Sequence, residues 1–488
     1  MPPDPSPSTE ALGYAGVAEL HNRMVAGDLT STVLVETLLQ RIEEIDRPGT
    51  STALRAVLAV SDRARDEAAA SDRRRRADGP LGPLEGIPVL VKDNVEVAGL
   101  PSCAGASSLA DRPPAGDAPL VGRLRAAGAV VLGTTNLSQW ANIRSPRSTG
   151  GWSVVGGLTG NPWALDRNAG GSSSGSGAAV AAGLAPLAVG TETDGSITNP
   201  CSLNGVAGIK PAVGAVPTAG VVPISRSQDS PGPLGRTVAD VALLLEVLAD
   251  RTGIAARAAR GVAGMRIGVA DGWRTGHPGT DALFEETVQV LAAAGADLVR
   301  RTPAVPGPSE QEDEMAVILC ELRDELDRYL PTRGPGGPQT LREAVAHEDA
   351  HAESELAWFG HELFEQALAL GGCGSDTYRA ARARNLAWAV DTCLGPALDG
   401  VDVLVAPTYG PAWKSDLVLG GHPGPAAPTT TAAAIAGWPI ATVPMGLASG
   451  LPVGLGIVGR PGSEPDLLAV GAAAERPARP TWTPPSRG

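Results

Sequence analysis

The chain has 488 residues, 43% of them hydrophobic, and none of its apolar runs approaches the roughly 18 to 20 residues needed to cross a bilayer. A large core is therefore expected and a membrane span is not. Acidic residues outnumber basic ones by 53 to 39, for a formal charge of −14, which repels phosphate backbones and anionic lipid surfaces and excludes nucleic acid and membranes as expected partners. The five cysteines, at 103, 201, 320, 373 and 393, are odd in number and form no C-x-x-C pair, and the Pro-rich start lacks a basic segment leading into an apolar one. These features place the protein in the cytoplasm.

Residues 1–9 read as a disordered start. Ala11 to Glu44 has helical spacing and predicts two helices joined near Gly27. Arg73 to Arg76, the densest basic run, reads as a solvated helix end before a loop at Gly79-Pro80. From Gly86 the grammar becomes α/β: strands over Ile87 to Val91 and Ala129 to Leu132, with a helix between Pro119 and Gly128. Trp163 to Ala169 makes a poor strand. Further strands are expected over Met265 to Ala270, Val401 to Ala406 and Gly454 to Val458, and a helix over Asp281 to Ala294. Pro-Gly-rich loops bracket or interrupt an acidic, mostly helical stretch over 310–393, which reads as a cap inserted into a single domain spanning 10–475. Residues 476–488 form a Pro-rich tail.

The segment Asn168-Ala-Gly-Gly-Ser-Ser-Ser-Gly-Ser-Gly-Ala-Ala-Val180 runs glycines and serines straight into a helical stretch. Exposed N–H groups at such a place can bind phosphate, although a Walker loop needs a lysine after the last glycine and none is present. Gly171 to Gly175 also fits the G-x-S-x-G nucleophile elbow, which requires a preceding strand and a downstream histidine. A plain flexible loop is the third reading.

Lysine usage adds a second signal. Only Lys92, Lys210 and Lys414 occur against 36 arginines, so a lysine directly after the apolar strand Gly86-Ile-Pro-Val-Leu-Val91 is not there for solubility. A buried amine can lose its proton and act as a base, which arginine cannot; the alternative is an ion pair between Lys92 and Asp93. The third signal is Val189-Gly-Thr-Glu-Thr-Asp-Gly-Ser-Ile197, a serine after a tight turn whose N–H groups can converge on one oxygen.

Lys92, the Gly-Gly-Ser-Ser-Ser-Gly-Ser run and Gly-Thr-Glu-Thr-Asp-Gly-Ser occur in this order, with a 24-residue interval from Ser172 to Ser196, and together they resemble the amidase signature family. Gly205-Val-Ala-Gly-Ile-Lys-Pro211, Ala406-Pro-Thr and Thr442-Val-Pro-Met-Gly extend the resemblance over roughly 10 to 475. It implies an α/β fold with a large mixed β-sheet core flanked by helices on both faces. It also implies Ser196 as nucleophile, Ser172 as bridging serine on a cis peptide, Lys92 as terminal base, an oxyanion hole around Thr193, Asp194, Gly195 and Ser196, and no metal or organic cofactor. Neutralising a lysine at pH 7 costs about 4 to 5 kcal/mol, so an apolar setting is required.

The chain departs from the usual family turn at Glu192, Asp194 and Thr198, which stand where that pattern has Asp, its first Gly and Arg. With Thr135-Asn-Leu-Ser-Gln-Trp-Ala-Asn-Ile-Arg144, Gly151-Trp-Ser153 and Ser227-Gln-Asp-Ser230, this resembles the branch of bacterial peptide amidases, in which Asn142 matches a substrate-contacting position. A buried amide capping a turn is the alternative for Asn142. The expected activity is hydrolysis of a small-molecule or short-peptide amide by a monomer or homodimer. The alternatives are aryl or aliphatic amide hydrolysis, acyl transfer to an amine, and a role as one subunit of an aminoacyl-tRNA amidotransferase. Outside the family, His347-Glu-Asp-Ala-His351 satisfies H-E-x-x-H and offers His347, Glu348 and His351 to a zinc peptidase, although the acidic residues around it favour a solvated helix face.

Overall fold

The computed structural model describes residues 9–475 apart from 51, 78–80 and 425. The expected irregular segments at 1–8 and 476–488 and the Gly79-Pro80 loop lie outside the described residues. Residue 9, expected to be disordered, begins the helix Thr9–Tyr14.

Eleven strands form one mixed sheet: β1 Val57–Val60, β2 Pro88–Lys92, β3 Val130–Thr135, β4 Leu187–Glu192, β5 Ala207–Lys210, β6 Ser230–Gly235, β7 Arg266–Ala270, β8 Asp297–Arg301, β9 Val403–Pro407, β10 Ile440–Ala448 and β11 Leu451–Val458. Their order is β1-β3-β2-β4-β6-β5-β10-β11-β9-β7-β8. β2 runs parallel to both neighbours, β3 and β4. All of its residues are buried, which is why it reads as an unbroken apolar run rather than an alternating one. Its C-terminal end, where open α/β sheets place their sites, carries Lys92.

Helices flank this sheet. The four used below are α1 Ser174–Ala181, α2 Thr198–Asn204, α3 Pro308–Tyr329 and α4 Leu341–Ala350. One apolar cluster surrounds the sheet. A second joins Leu137, Trp140 and Ile224 to Leu319, Leu322 and Leu326 of α3. Each such leucine contributes about 2 kcal/mol when fully buried, so α3 is a packed part of the molecule. Among the described residues no helix is long and apolar enough to cross a membrane.

Three expectations need correction. The N-terminal helices break at Ala15-Gly16 as well as near Gly27, giving Thr9–Tyr14, Val17–Ala26 and Ser31–Ile45; the extra start is set by Asp240, whose Oδ1 accepts from Val17 N–H at 2.9 Å. Ala164–Asn168 is a strand after all, but in a side hairpin with Gly160–Asn161 and outside the main sheet. β6, written Ser-Pro-Gly-Pro-Leu-Gly, contains two prolines and two glycines and was not expected, yet it lies fully buried between β4 and β5. Its pairing to β5 is confined to Leu234 and Gly235, beyond both prolines, and Gly232 fits because a Cβ there would come within 2.1 Å of Ile209 O.

Gly175, in the first turn of α1, is fixed by a similar close approach. A Cβ would meet Ala56 O at 2.3 Å and Asn136 O at 2.5 Å, both backbone atoms. Gly175→Ala should therefore lose roughly 1–3 kcal/mol, seen as a lower unfolding midpoint in denaturant titration, whereas Gly116→Ala, with open space around it, should change little.

Candidate active site

Lys92 leaves the end of β2 fully buried. Its Nζ lies 2.7 Å from Ser172 Oγ, 2.8 Å from Thr191 Oγ1 and 3.2 Å from Thr191 O. Asn94 Nδ2 donates to the same Thr191 hydroxyl at 3.0 Å. Burial pushes the Lys92 amine down to about 7, against the opposing pull of Asp229 and Glu192. Asp93 is not its partner: that carboxylate accepts from Cys103 N–H and Gly105 N–H at 3.0 and 3.2 Å.

The glycine-serine segment is neither flexible nor a phosphate loop. Ser172 follows a cis peptide after Gly171, and its carbonyl accepts from Ser138 N–H at 3.1 Å. The amides of Gly170, Gly171, Ser173 and Gly175 donate to Asn168 Oδ1, Asn199 Oδ1, Ser196 O and Asn136 O, leaving them unavailable to a phosphate. Ser173, Ser174 and Ser176 donate their hydroxyls to the carbonyls of Thr191, Gly170 and Val189. The run is rich in serine because a buried, tightly turned backbone needs short donors, and Ser172 is the member presented to Lys92.

Ser196 sits in the turn between β4 and α2. Glu192, at the end of β4, accepts through Oε2 from Ile197 N–H at 2.6 Å, Thr198 N–H at 2.7 Å and Thr198 Oγ1 at 3.1 Å. That single carboxylate closes the turn and caps α2, and Thr198 supplies one of its donors. Gly195 has φ +80°, and a Cβ there would come within 2.5 Å of the Tyr409 hydroxyl. Thr193 Oγ1 donates to Asp229 at 2.6 Å, and Asp229 is held in turn by the amides of Ile224 and Ser225. Burial pushes the Asp229 carboxyl up to about 6. Among the described residues, the N–H groups of Thr193, Asp194, Gly195 and Ser196 donate no hydrogen bond.

Ser196, Thr193 and Asp194 line a cavity of about 380 Å³ together with Asn142, Ile224 and Ile318. Asn142 is exposed rather than buried, and among the described residues its side chain makes no hydrogen bond, which removes the turn-capping alternative. It ends a run of three residues in the left-handed region: Trp140, Ala141 and Asn142 have φ of 50°, 52° and 75°. Such backbone persists where surroundings over-determine it. Here Trp140 Nε1 donates to Glu348 at 2.9 Å, Gln139 Nε2 donates to Glu355 at 2.5 Å, and the fully buried Arg144 sits 3.3 Å from Glu355 and 3.5 Å from Glu348.

This clamp also decides the H-E-x-x-H segment. Glu348 points inward from α4 to Trp140, Arg144 and His361, whose Nδ1 lies at 2.9 Å. His347 bonds Ser107 at 3.1 Å and stacks on His351. The expected solvated face holds for the histidines' side and fails for Glu348, which is buried. The segment is structural rather than a zinc-peptidase centre.

A family model for amidases matches residues 33–468. The chain belongs to the amidase signature family. It is a hydrolase acting on amide C–N bonds. The amidase superposes on native peptide amidase from Stenotrophomonas maltophilia with TM-score 0.88 at 42% identity, covering 95% of this chain and 97% of that one. Peptide amidase PAM bound to the competitive inhibitor chymostatin gives 0.90 at 42% identity, with 96% and 99% covered. In sequence the amidase is also 34% identical to one subunit of the glutamyl-tRNA(Gln) amidotransferase of Symbiobacterium thermophilum, over 94% of this chain and 96% of that protein. Glu314 of the cavity wall carried no separate signal in the sequence, and neither did Thr191 and Asp229 by themselves, although they stood within the quoted Val189 to Ile197 and Ser227 to Ser230 segments.

Removing Glu348 leaves Arg144 and the Trp140 N–H short of a buried acceptor, a change of roughly 3–5 kcal/mol. Glu348→Ala should lower the amidase's unfolding midpoint accordingly, with Glu348→Gln intermediate because it keeps an acceptor. His347→Ala should retain amide hydrolysis.

Proposed function

We propose that this amidase hydrolyses a carboxamide through a relay of Lys92, Ser172 and Ser196. The observation that carries the reading is the fully buried Lys92 amine 2.7 Å from Ser172, with its proton affinity lowered by burial. The neutral amine takes the Ser172 hydroxyl proton as Ser172 takes that of Ser196, and Ser196 Oγ bonds to the amide carbon. The N–H groups of the 193–196 turn receive the negative oxygen. Collapse breaks the C–N bond while the relay returns a proton to nitrogen, releasing ammonia and leaving an acyl ester on Ser196. Water then adds by the same path and frees the carboxylate. The free cysteines fit a cytoplasmic location.

Ser196→Ala should reduce kcat/KM by roughly 10⁴-fold or more. Lys92→Ala and Ser172→Ala should each reduce it by roughly 10²–10⁴-fold. Lys92→Arg should fail as badly as Lys92→Ala, because guanidinium does not give up its proton. The lowered lysine pKa means the active, neutral form accumulates as pH rises through about 7, so activity should climb across that value and then level off. A flat profile from pH 5 to 9, or near-normal turnover by Ser196→Ala, would exclude the relay.

For substrate we infer the C-terminal carboxamide of a short peptide. Support comes from the free Asn142 amide in the cavity, which can both donate to and accept from a peptide backbone, and from the similarity to peptide amidases. A peptide amide should exceed propionamide in kcat/KM, and Asn142→Ala should erode that preference more than it lowers propionamide turnover. The amidotransferase relatives support a second reading, in which the ammonia is passed to a partner protein. Copurification of such a partner from the native source would favour it.

A further inference from the structure

The cavity that holds Ser196 is also lined by two carboxyl groups from separate elements, Asp194 in the turn before the serine and Glu314 in α3. Glu314 is 7% exposed and accepts through Oε1 from Gln228 Nε2 at 3.0 Å. Asp194 accepts through Oδ2 from Thr431 at 3.3 Å, and the Thr430 hydroxyl is a second hydrogen-bonding neighbour of the carboxylate.

The charges around the pair are one-sided. Among the described residues no lysine, arginine or histidine lines the cavity. Lys210 is fully buried and donates to Trp438 O at 3.0 Å; its field favours the charged forms of Asp194 and Glu192. Burial and the neighbouring Asp194 both push the Glu314 carboxyl up, as one carboxylate does to another close by.

We propose that Asp194 and Glu314 form a charge-selecting subsite for amides whose carboxamide-bearing residue carries an ammonium or guanidinium group. A cation placed there lies beside two carboxyl groups and favours their charged forms, so both act as counter-charges. A neutral side chain offers the pair no counter-charge. An anionic side chain faces a carboxylate with no compensating cation, and the carboxylate product is disfavoured for the same reason. This rests on the hydrolase reading given above and names its substrate class.

The test compares three N-acetyl-alanyl amides bearing lysine, methionine or glutamate next to the carboxamide. In the wild-type enzyme kcat/KM should fall in that order, with the lysine substrate exceeding the glutamate one by at least about a hundredfold. Glu314→Gln, which keeps the shape and the Gln228 contact, should cut that ratio by about tenfold or more. Because the ratio is read within one preparation, it does not depend on the folded fraction. Asp194→Asn should move the ratio the same way. Turnover of the methionine amide with a lysine-to-glutamate ratio near one, or a ratio within twofold of wild type in both variants, would overturn the subsite while leaving the hydrolase standing. No turnover of any of the three would overturn both.

Discussion

Everything about the site follows from taking one amine out of water. An exposed lysine holds its proton far too tightly to serve as a base at neutral pH, and the structure removes that difficulty by placing Lys92 at the end of a strand covered on both sides by parallel neighbours. The surrounding oxygens are hydroxyls and a carbonyl rather than carboxylates in direct contact. Asp93, adjacent in sequence, is turned aside to the 103–105 turn; had it reached Nζ, the ion pair would have held the proton in place. Burial without direct pairing is what sets the amine apart from the arginines that carry most of this chain's positive charge.

The serine that receives the relay is held by equally few groups. Glu192 stands where the family pattern has an aspartate, and its extra methylene lets one carboxylate accept from Ile197, Thr198 and the Thr198 hydroxyl. The turn's own amides are thereby left pointing away from internal partners, and Asp229 fixes the Thr193 side chain from the other end. The altered positions 192, 194 and 198 are thus parts of one turn, with Glu192 and Thr198 bonded to each other and Asp194 released to face the cavity.

The sequence made the chemistry legible where function is written in contiguous letters. Lys92, the serine run and the 193–196 turn are short motifs, and the strands over 87–91, 265–270 and 401–406 lie within about two residues of those observed. What escaped was whatever depends on a distant partner. Gly16 starts a helix only because Asp240 is there. β6 is spelled as a turn and becomes a strand because close neighbours need its glycine and tolerate its prolines. β11 begins at Leu451 rather than Gly454, its glycines at 454 and 456 fitting against Thr442, Thr408 and Thr429. Glu314 and Glu348 look like ordinary helical acids; only the fold reveals that both face inward.

The left-handed turn at 140–142 is held in part by side chains from more than 200 positions downstream, Glu348 and Glu355. The segment containing α3 and α4 is consequently not a detachable lid that could be exchanged between relatives to swap specificities. A graft carrying different residues at those two places would strand Arg144 in the interior and release the loop bearing Asn142, so divergence of this enzyme's pocket has to proceed by coordinated change in two parts of the gene.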